Sequence, residues 1–181
     1  MRRLKYLVAA TLDGRIACLD GSFDFFGAAG DAHVADYLAS LRQFDAVLMG
    51  RKTYEVGTAM GVTDPYPFLD SYVFSSSMME SPNERVRVIG ENPAPWVREF
   101  KRRVGGDIYL CGGAHLAATL LEAGLIDEIV VKLNPLLLGD GLPLFSAVAK
   151  PALLELAATK TYENGVILLT YRLNGDRAAA R

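Results

Sequence analysis

Two cations and a hydroxyl follow one another in "VLMGRKTYE", residues 47–55, where an apolar, strand-like run passes through Gly50 into Arg51, Lys52 and Thr53. A second glycine junction, Gly112-Gly113, stands in "YLCGGAHLAATLLEAG". In parallel sheets ligands bind beyond the carboxyl ends of the strands, where glycine lets the backbone approach a phosphate and the next helix offers free N–H groups. Arg51 and Lys52 add full positive charge beside such a seat, which suits a dianionic phosphate on a nucleotide ribose. "VFSSS" ends another strand with hydroxyls, Ser75 and Ser76 among them, able to bond the same group. Together these pieces predict the adenosine-side phosphate pocket of NADP. Each alone has a plainer reading: a glycine relieving crowding, a solvated first turn, serines in an ordinary turn. A phosphate loop is excluded, because it needs adjacent Gly-Lys and a glycine where Asp45 stands. The G-x-G-x-x-G fingerprint of a standard dinucleotide fold is absent as well.

The elements that must position these residues follow from periodicity. Apolar and β-branched runs occupy 4–10, 46–49, 72–75, 86–89, 108–111, 128–133, 153–161 and 166–173. Helix-period segments lie between them at 31–43, from Arg51, at 95–104 and at 114–123. The alternation predicts an α/β fold with a mostly parallel central sheet between helices, and "DAVLMG" and "DIYLCG" suit central strands covered on both faces. "ENG", Glu163 to Gly165, marks a turn joining the last two runs as an antiparallel hairpin. Residues 1–173 are expected to form one domain, and 174–181 a frayed tail.

Composition narrows the partners. The chain has 181 residues, 19 basic and 21 acidic, for a net charge of −2, so no global field draws it to nucleic acid or an anionic membrane. The apolar stretch after the basic start is broken by Asp13 and Arg15, too short for a secretion signal, and no run is long enough to span a bilayer. The expected location is the cytoplasm. Cys18 and Cys111 have no neighbouring cysteine, and His33 and His115 are isolated, so no metal site is expected and the thiols read as unpaired and buried.

The motifs also resemble a known family. "AATLDGRIA", "DAVLMGRKTYE", "YVFSSS", "YLCGGAHLAATLLEAGLIDEI" and "LNPLLLGDGLPLF" occur in the order and approximate spacing of the dihydrofolate reductase-like superfamily. More closely, they resemble the bacterial group related to the C-terminal reductase domain of riboflavin biosynthesis, over nearly the whole chain from Leu4 to Leu173. The resemblance implies a three-layer fold with an eight-stranded sheet, NADPH across the strand ends, and hydride delivery to a pteridine, pyrimidine or related heterocycle. It assigns Gly50, Arg51, Lys52 and Thr53 to the ribose phosphate and pyrophosphate, and Ser75 and Ser76 to the adenosine side. Gly112, Gly113, Ala114, His115 and Leu116 fall to the pyrophosphate and nicotinamide ribose, with Ala10 and Ile16 beside the nicotinamide. Cys111 and Asp64 fall on the substrate side, and the "LNPLLLGDGLPLF" region implies a homodimer.

Reduction of a C=N bond needs a proton at nitrogen, and a carboxylate in an apolar pocket is one source. Asp31 is the first candidate, with Asp36, Asp64 and His33 behind it. Their plainer readings are a helix N-cap for Asp31 and solvent-facing positions for Asp36 and His33. Asp13 reads as a turn residue with Gly14 at positive φ. Phe23, Phe25 and Phe26 suit a wall for a flat heterocycle or, more simply, core. A noncatalytic, dimeric NADP-binding protein of the same fold is the alternative to a reductase.

Overall fold

The computed structural model describes residues 1–27 and 30–173. Because successive side chains of a strand point to opposite faces, the central strands sort their apolar residues into two layers. In β3 (Phe44–Gly50), Ala46 and Leu48 join one core while Val47 and Met49 join the other. In β6 (Asp107–Gly112), Ile108 and Leu110 pair off against Tyr109 and Cys111 in the same way. This two-sided burial is what a covered parallel strand requires.

Further strands are β1 (Leu4–Thr11), β2 (Arg15–Ala17), β4 (Asp70–Phe74), β5 (Val86–Ile89), β7 (Glu128–Asn134), β8 (Leu142–Pro143), β9 (Leu154–Thr161) and β10 (Ile167–Leu173). The main sheet has eight strands in the order β5-β4-β3-β6-β1-β7-β10-β9. All neighbours run parallel except β10, which is antiparallel to both β7 and β9. Helices α1 (Ala32–Ser40) and α2 (Arg51–Ala59) cover one face through Tyr37 and Tyr54. The other face is covered by α3 (Pro93–Arg102) through Val97 and Phe100, and by α4 (Ala114–Glu122) through Leu116, Ala117 and Leu120. The expected mostly parallel α/β architecture with a closing hairpin is present.

Several boundaries differ from the periodicity. α3 starts two residues before the expected Pro95, because the Asn92 side chain accepts from the Ala94 N–H and Pro93 supplies a preset first-turn φ. α1 stops at Ser40 and tightens into a single 3₁₀ turn over Leu41–Gln43. The hairpin is built on a three-residue loop: Tyr162 N–H donates to the Val166 carbonyl and Gly165 takes φ 81°, so Glu163 and Asn164 keep negative φ. The short pair β2–β8 was not expected, since segments of three and two residues show no period. The expected tail at 174–181 lies outside the described residues.

The topology has a direct consequence for ligand binding. After β3 the chain turns through α2 on one face toward β4, whereas after β6 it turns through α4 on the opposite face and crosses β1 to reach β7. The adjacent carboxyl ends of β3 and β6 therefore diverge, and a crevice opens between them at this switch point.

Candidate functional site

Gly50 ends β3 and Gly112-Gly113 end β6, so both glycine junctions reach the same crevice. A Cβ on Gly50 would lie 3.7 Å from the Gly112 oxygen and the Gly113 nitrogen, and one on Gly113 would lie 3.1 Å from Thr53 Oγ1. The two bends are thus in contact, most tightly at Gly113. The Gly112-Gly113 peptide is cis, with Gly112 at φ 113°. α2 and α4 begin here, each preceded by a glycine at the N-cap that makes no side-chain cap bond. Their first-turn N–H groups therefore remain available to an acceptor from outside the chain.

A cavity of about 2000 Å³ opens over the crevice and is lined by Gly50, Arg51, Lys52, Thr53, Ser75 and Ser76 together with Gly113, Ala114, His115 and Leu116. Single small-molecule sites occupy roughly 300–1,000 Å³, so this volume suits two ligands side by side. Arg51 donates to Glu55 at 2.6 Å along α2, whereas Lys52 is exposed and forms no ion pair among the described residues. Ser75 Oγ accepts from the Ser77 and Met78 N–H groups at 3.2 and 2.8 Å, so that hydroxyl also holds its own turn.

The remaining candidates are placed unevenly. Ile16 lines the cavity, but Ala10 is fully buried and does not, because strand alternation turns it to the opposite side; its neighbour Ala9 faces the cavity. Cys111 lines it too. Asp64 lies outside it, with its carboxylate 3.1 Å from Arg85, while the following Pro65 and Tyr66 form part of the wall. Asp36 reaches the cavity, yet its carboxylate accepts from Lys160 and Tyr162, and those bonds hold its pKa below the usual range. Asp31 occupies the N-cap position of α1 without capping it by its side chain; its carboxylate sits 3.3 Å from His33 Nε2, beside a smaller recess. His33 is 3% exposed rather than solvent-facing and stands edge-on to Tyr162. Phe26 is buried and Phe23 is exposed, and both line the cavity.

The sequence named Cys111 on the substrate side but not the three tyrosines that cluster with it in the cavity. The hydroxyl of Tyr37 lies 3.0 Å from that of Tyr109 and 3.3 Å from that of Tyr66, and Tyr66 in turn meets Cys111 Sγ at 3.5 Å. All four residues line the cavity. Burial pushes the phenols and the thiol up in pKa, so the group is neutral at physiological pH. Only Tyr109 and Cys111, at i and i+2 on one strand, carry a signal of sharing a face; Tyr37 and Tyr66 come from distant segments. Lys132 of β7 was also missed: it lines the cavity, donates to the Phe26 carbonyl at 2.7 Å, and is lowered in pKa by burial.

The sheet order is that of a dihydrofolate reductase-like fold. Residues 3–168 match the RibD C-terminal domain, and the chain belongs to that family. It is similar to the uncharacterized protein YwjB of Bacillus subtilis strain 168, with 32% identity over 170 residues covering 92% of this chain and 96% of that one. Among solved structures, a protein of Shewanella sp. PV-4 ascribed to riboflavin biosynthesis superposes with a TM-score of 0.83 at 23% identity, over 95% of this chain and 99% of that one. Dihydrofolate reductase of Enterococcus faecalis, complexed with NADP(H) and RAB-propyl, gives 0.70 at 18% identity, over 95% and 96%. At these identities the structural likeness establishes the fold.

Proposed function

We propose that the protein is an NADPH-dependent reductase of a pteridine, pyrimidine or related heterocycle. The observation that carries this reading is the contact between the bends at 50–53 and 112–116, which puts two uncapped helix starts and the Arg51–Lys52 pair on one cavity at the switch point. The residues fit the cofactor: close backbone at Gly50 and Gly113 makes room for a pyrophosphate, Thr53 offers a hydroxyl to it, and Lys52 offers an unengaged charge to the ribose phosphate. When bound, NADPH supplies the hydride. The chain's own part is to orient the acceptor, exclude water over its flat face, and hold a hydrogen bond at its ring nitrogen. The acceptor has the remainder of the cavity, between α1 and the β1–β7 strands, where Leu7, Ala9 and Val130 give an apolar floor.

The test is a fluorescence titration with NADPH and NADH, followed by NADPH oxidation with dihydrofolate and with pyrimidine acceptors. Preferential NADPH binding with turnover supports the reductase. Equal, weak binding of both nucleotides removes it. Tight NADPH binding without turnover across both acceptor classes favours the noncatalytic dinucleotide-binding alternative, which the engaged state of Asp36 makes specific.

A further inference from the structure

The neutral phenol and thiol group borders the cofactor seat without holding any of its phosphate-binding residues. Cys111 is the residue before Gly112-Gly113, and Tyr109 shares its face of β6. The rings are fixed: Tyr66 meets Tyr109 edge to face at 5.5 Å and 87°, and Phe44 packs on Tyr109 at 5.6 Å. The hydroxyl hydrogens are not, because a phenol both donates and accepts and its O–H rotates. The weakest link is from Tyr66 to the sulfur, since a thiol is a poor partner, so Tyr66 loses least by turning its hydrogen toward a ligand.

The charged alternatives at the site are engaged or peripheral. Glu55 is held by Arg51, Asp36 by Lys160, and Glu128 by Arg3 and Lys5. Asp20, Asp24 and Glu91 line the cavity from exposed positions. A cationic, amidine-like ring edge would forfeit its hydration without gaining an unengaged buried carboxylate. A neutral edge with a donor beside an acceptor is matched by phenols that can turn either way.

We infer that Tyr66, backed by Tyr37, Tyr109 and Cys111, is the hydrogen-bonding terminus of the acceptor subsite and selects a neutral, lactam-like ring edge over a cationic one. The inference rests on the reductase reading above. Tyr66 is the contact group, and Tyr37 and Tyr109 are positioning residues that act through it.

The experiment uses the full chain saturated with NADPH, with uracil as the neutral probe and 2,4-diaminopyrimidine at pH 6 as the cationic one, each titrated calorimetrically into the millimolar range. Uracil is expected to bind the tighter of the two. Tyr66→Phe should weaken uracil about five-fold, the loss of one neutral hydrogen bond, while the NADPH dissociation constant stays within about two-fold. Cys111→Ser provides a second variant: a hydroxyl that competes for the Tyr66 hydrogen should also weaken uracil. Unchanged uracil binding in both variants, tighter binding of the diaminopyrimidine, or no saturable uracil binding by the wild-type complex would overturn the assignment of Tyr66 while leaving NADPH recognition intact. Failure of the wild type to bind NADPH would instead remove the reductase reading itself, and the assignment with it.

Discussion

Gly50 and Gly113 differ in how much each could grow. A methyl on Gly50 would meet its neighbours at ordinary van der Waals distance, whereas on Gly113 it would press on Thr53 Oγ1 at 3.1 Å. Gly50→Ala is therefore expected to fold with the wild-type melting temperature but to bind NADPH less well, because the added methyl narrows the backbone's approach to the phosphates. Gly113→Ala should lower both, since it pries the two bends apart; equal melting temperatures for the two variants would contradict this. Arg51 and Lys52 separate by the same kind of argument. Arg51 already faces Glu55, which cancels part of its field, while Lys52 forms no ion pair among the described residues. Lys52→Ala should weaken NADPH about five- to ten-fold at low salt, less at high salt, and leave NADH unchanged. The readout is the ratio of the two dissociation constants at two ionic strengths.

Among the elements, the turn after β1 is stapled to the loop after β7. Asp13 accepts from Thr11 Oγ1 and from the N–H groups of Leu138 at 3.1 Å and Gly139 at 2.7 Å, while Arg15 donates back to the Gly139 carbonyl at 3.0 Å. These donors hold Asp13 down to a pKa of about 2, the Thr11 hydroxyl first among them. A depressed carboxylate contributes stability that is present above its unfolded value near 4 and is lost as pH falls through the folded value. The difference in melting temperature between wild type and Asp13→Asn should accordingly be constant above about pH 5 and shrink between pH 4 and 2; a difference that stays constant down to pH 2 would show the staple to be uncharged. This staple also marks where the sequence stops being legible. Gly14 at φ 74° and a turn at Asp13 were readable from "LDG", but the partner 125 residues away was not, because nothing local encodes a bond to Leu138. The long runs behave differently: β3, β6 and α4 repeat their period over seven, six and nine residues and stand within a residue or two of their expected ends. At the site the same division holds. The glycine junctions were visible because strand, glycine and helix are contiguous, whereas Tyr37, Tyr66 and Tyr109 meet only through the fold. Ala10 stands one residue from the cavity-lining Ala9, which in a strand separates a side chain on the wall from one in the core.

The sheet ends at β5 on one side and β9 on the other, and the two edges are unlike. β5 has four residues and buries Val86, whereas β9 has eight, all exposed, with Leu154 and Leu156 at 43% and 53% and Leu153 before them at 69%. A long, partly apolar edge is an aggregation hazard that proteins normally cover or break with charge or a bulge, and β9 has a register irregularity against β10 between Leu156 and Ala158. Here Glu155 and Lys160 interrupt the run without removing the leucines. The family resemblance leads to a homodimer, and we propose that a second copy covers this end of the sheet, since an edge strand can pair with its own symmetry mate. Light scattering at micromolar concentration should then give twice the chain mass of 19.6 kDa. Leu156→Lys should return the monomer mass. Because β9 is separated from β6 by β1, β7 and β10, that variant should keep the wild-type affinity for NADPH. A monomeric wild type would remove the dimer, and a dimer indifferent to Leu156→Lys would move the contact elsewhere; a monomeric variant that also lost NADPH would mean that the two ends of the sheet are coupled through β7 and β1.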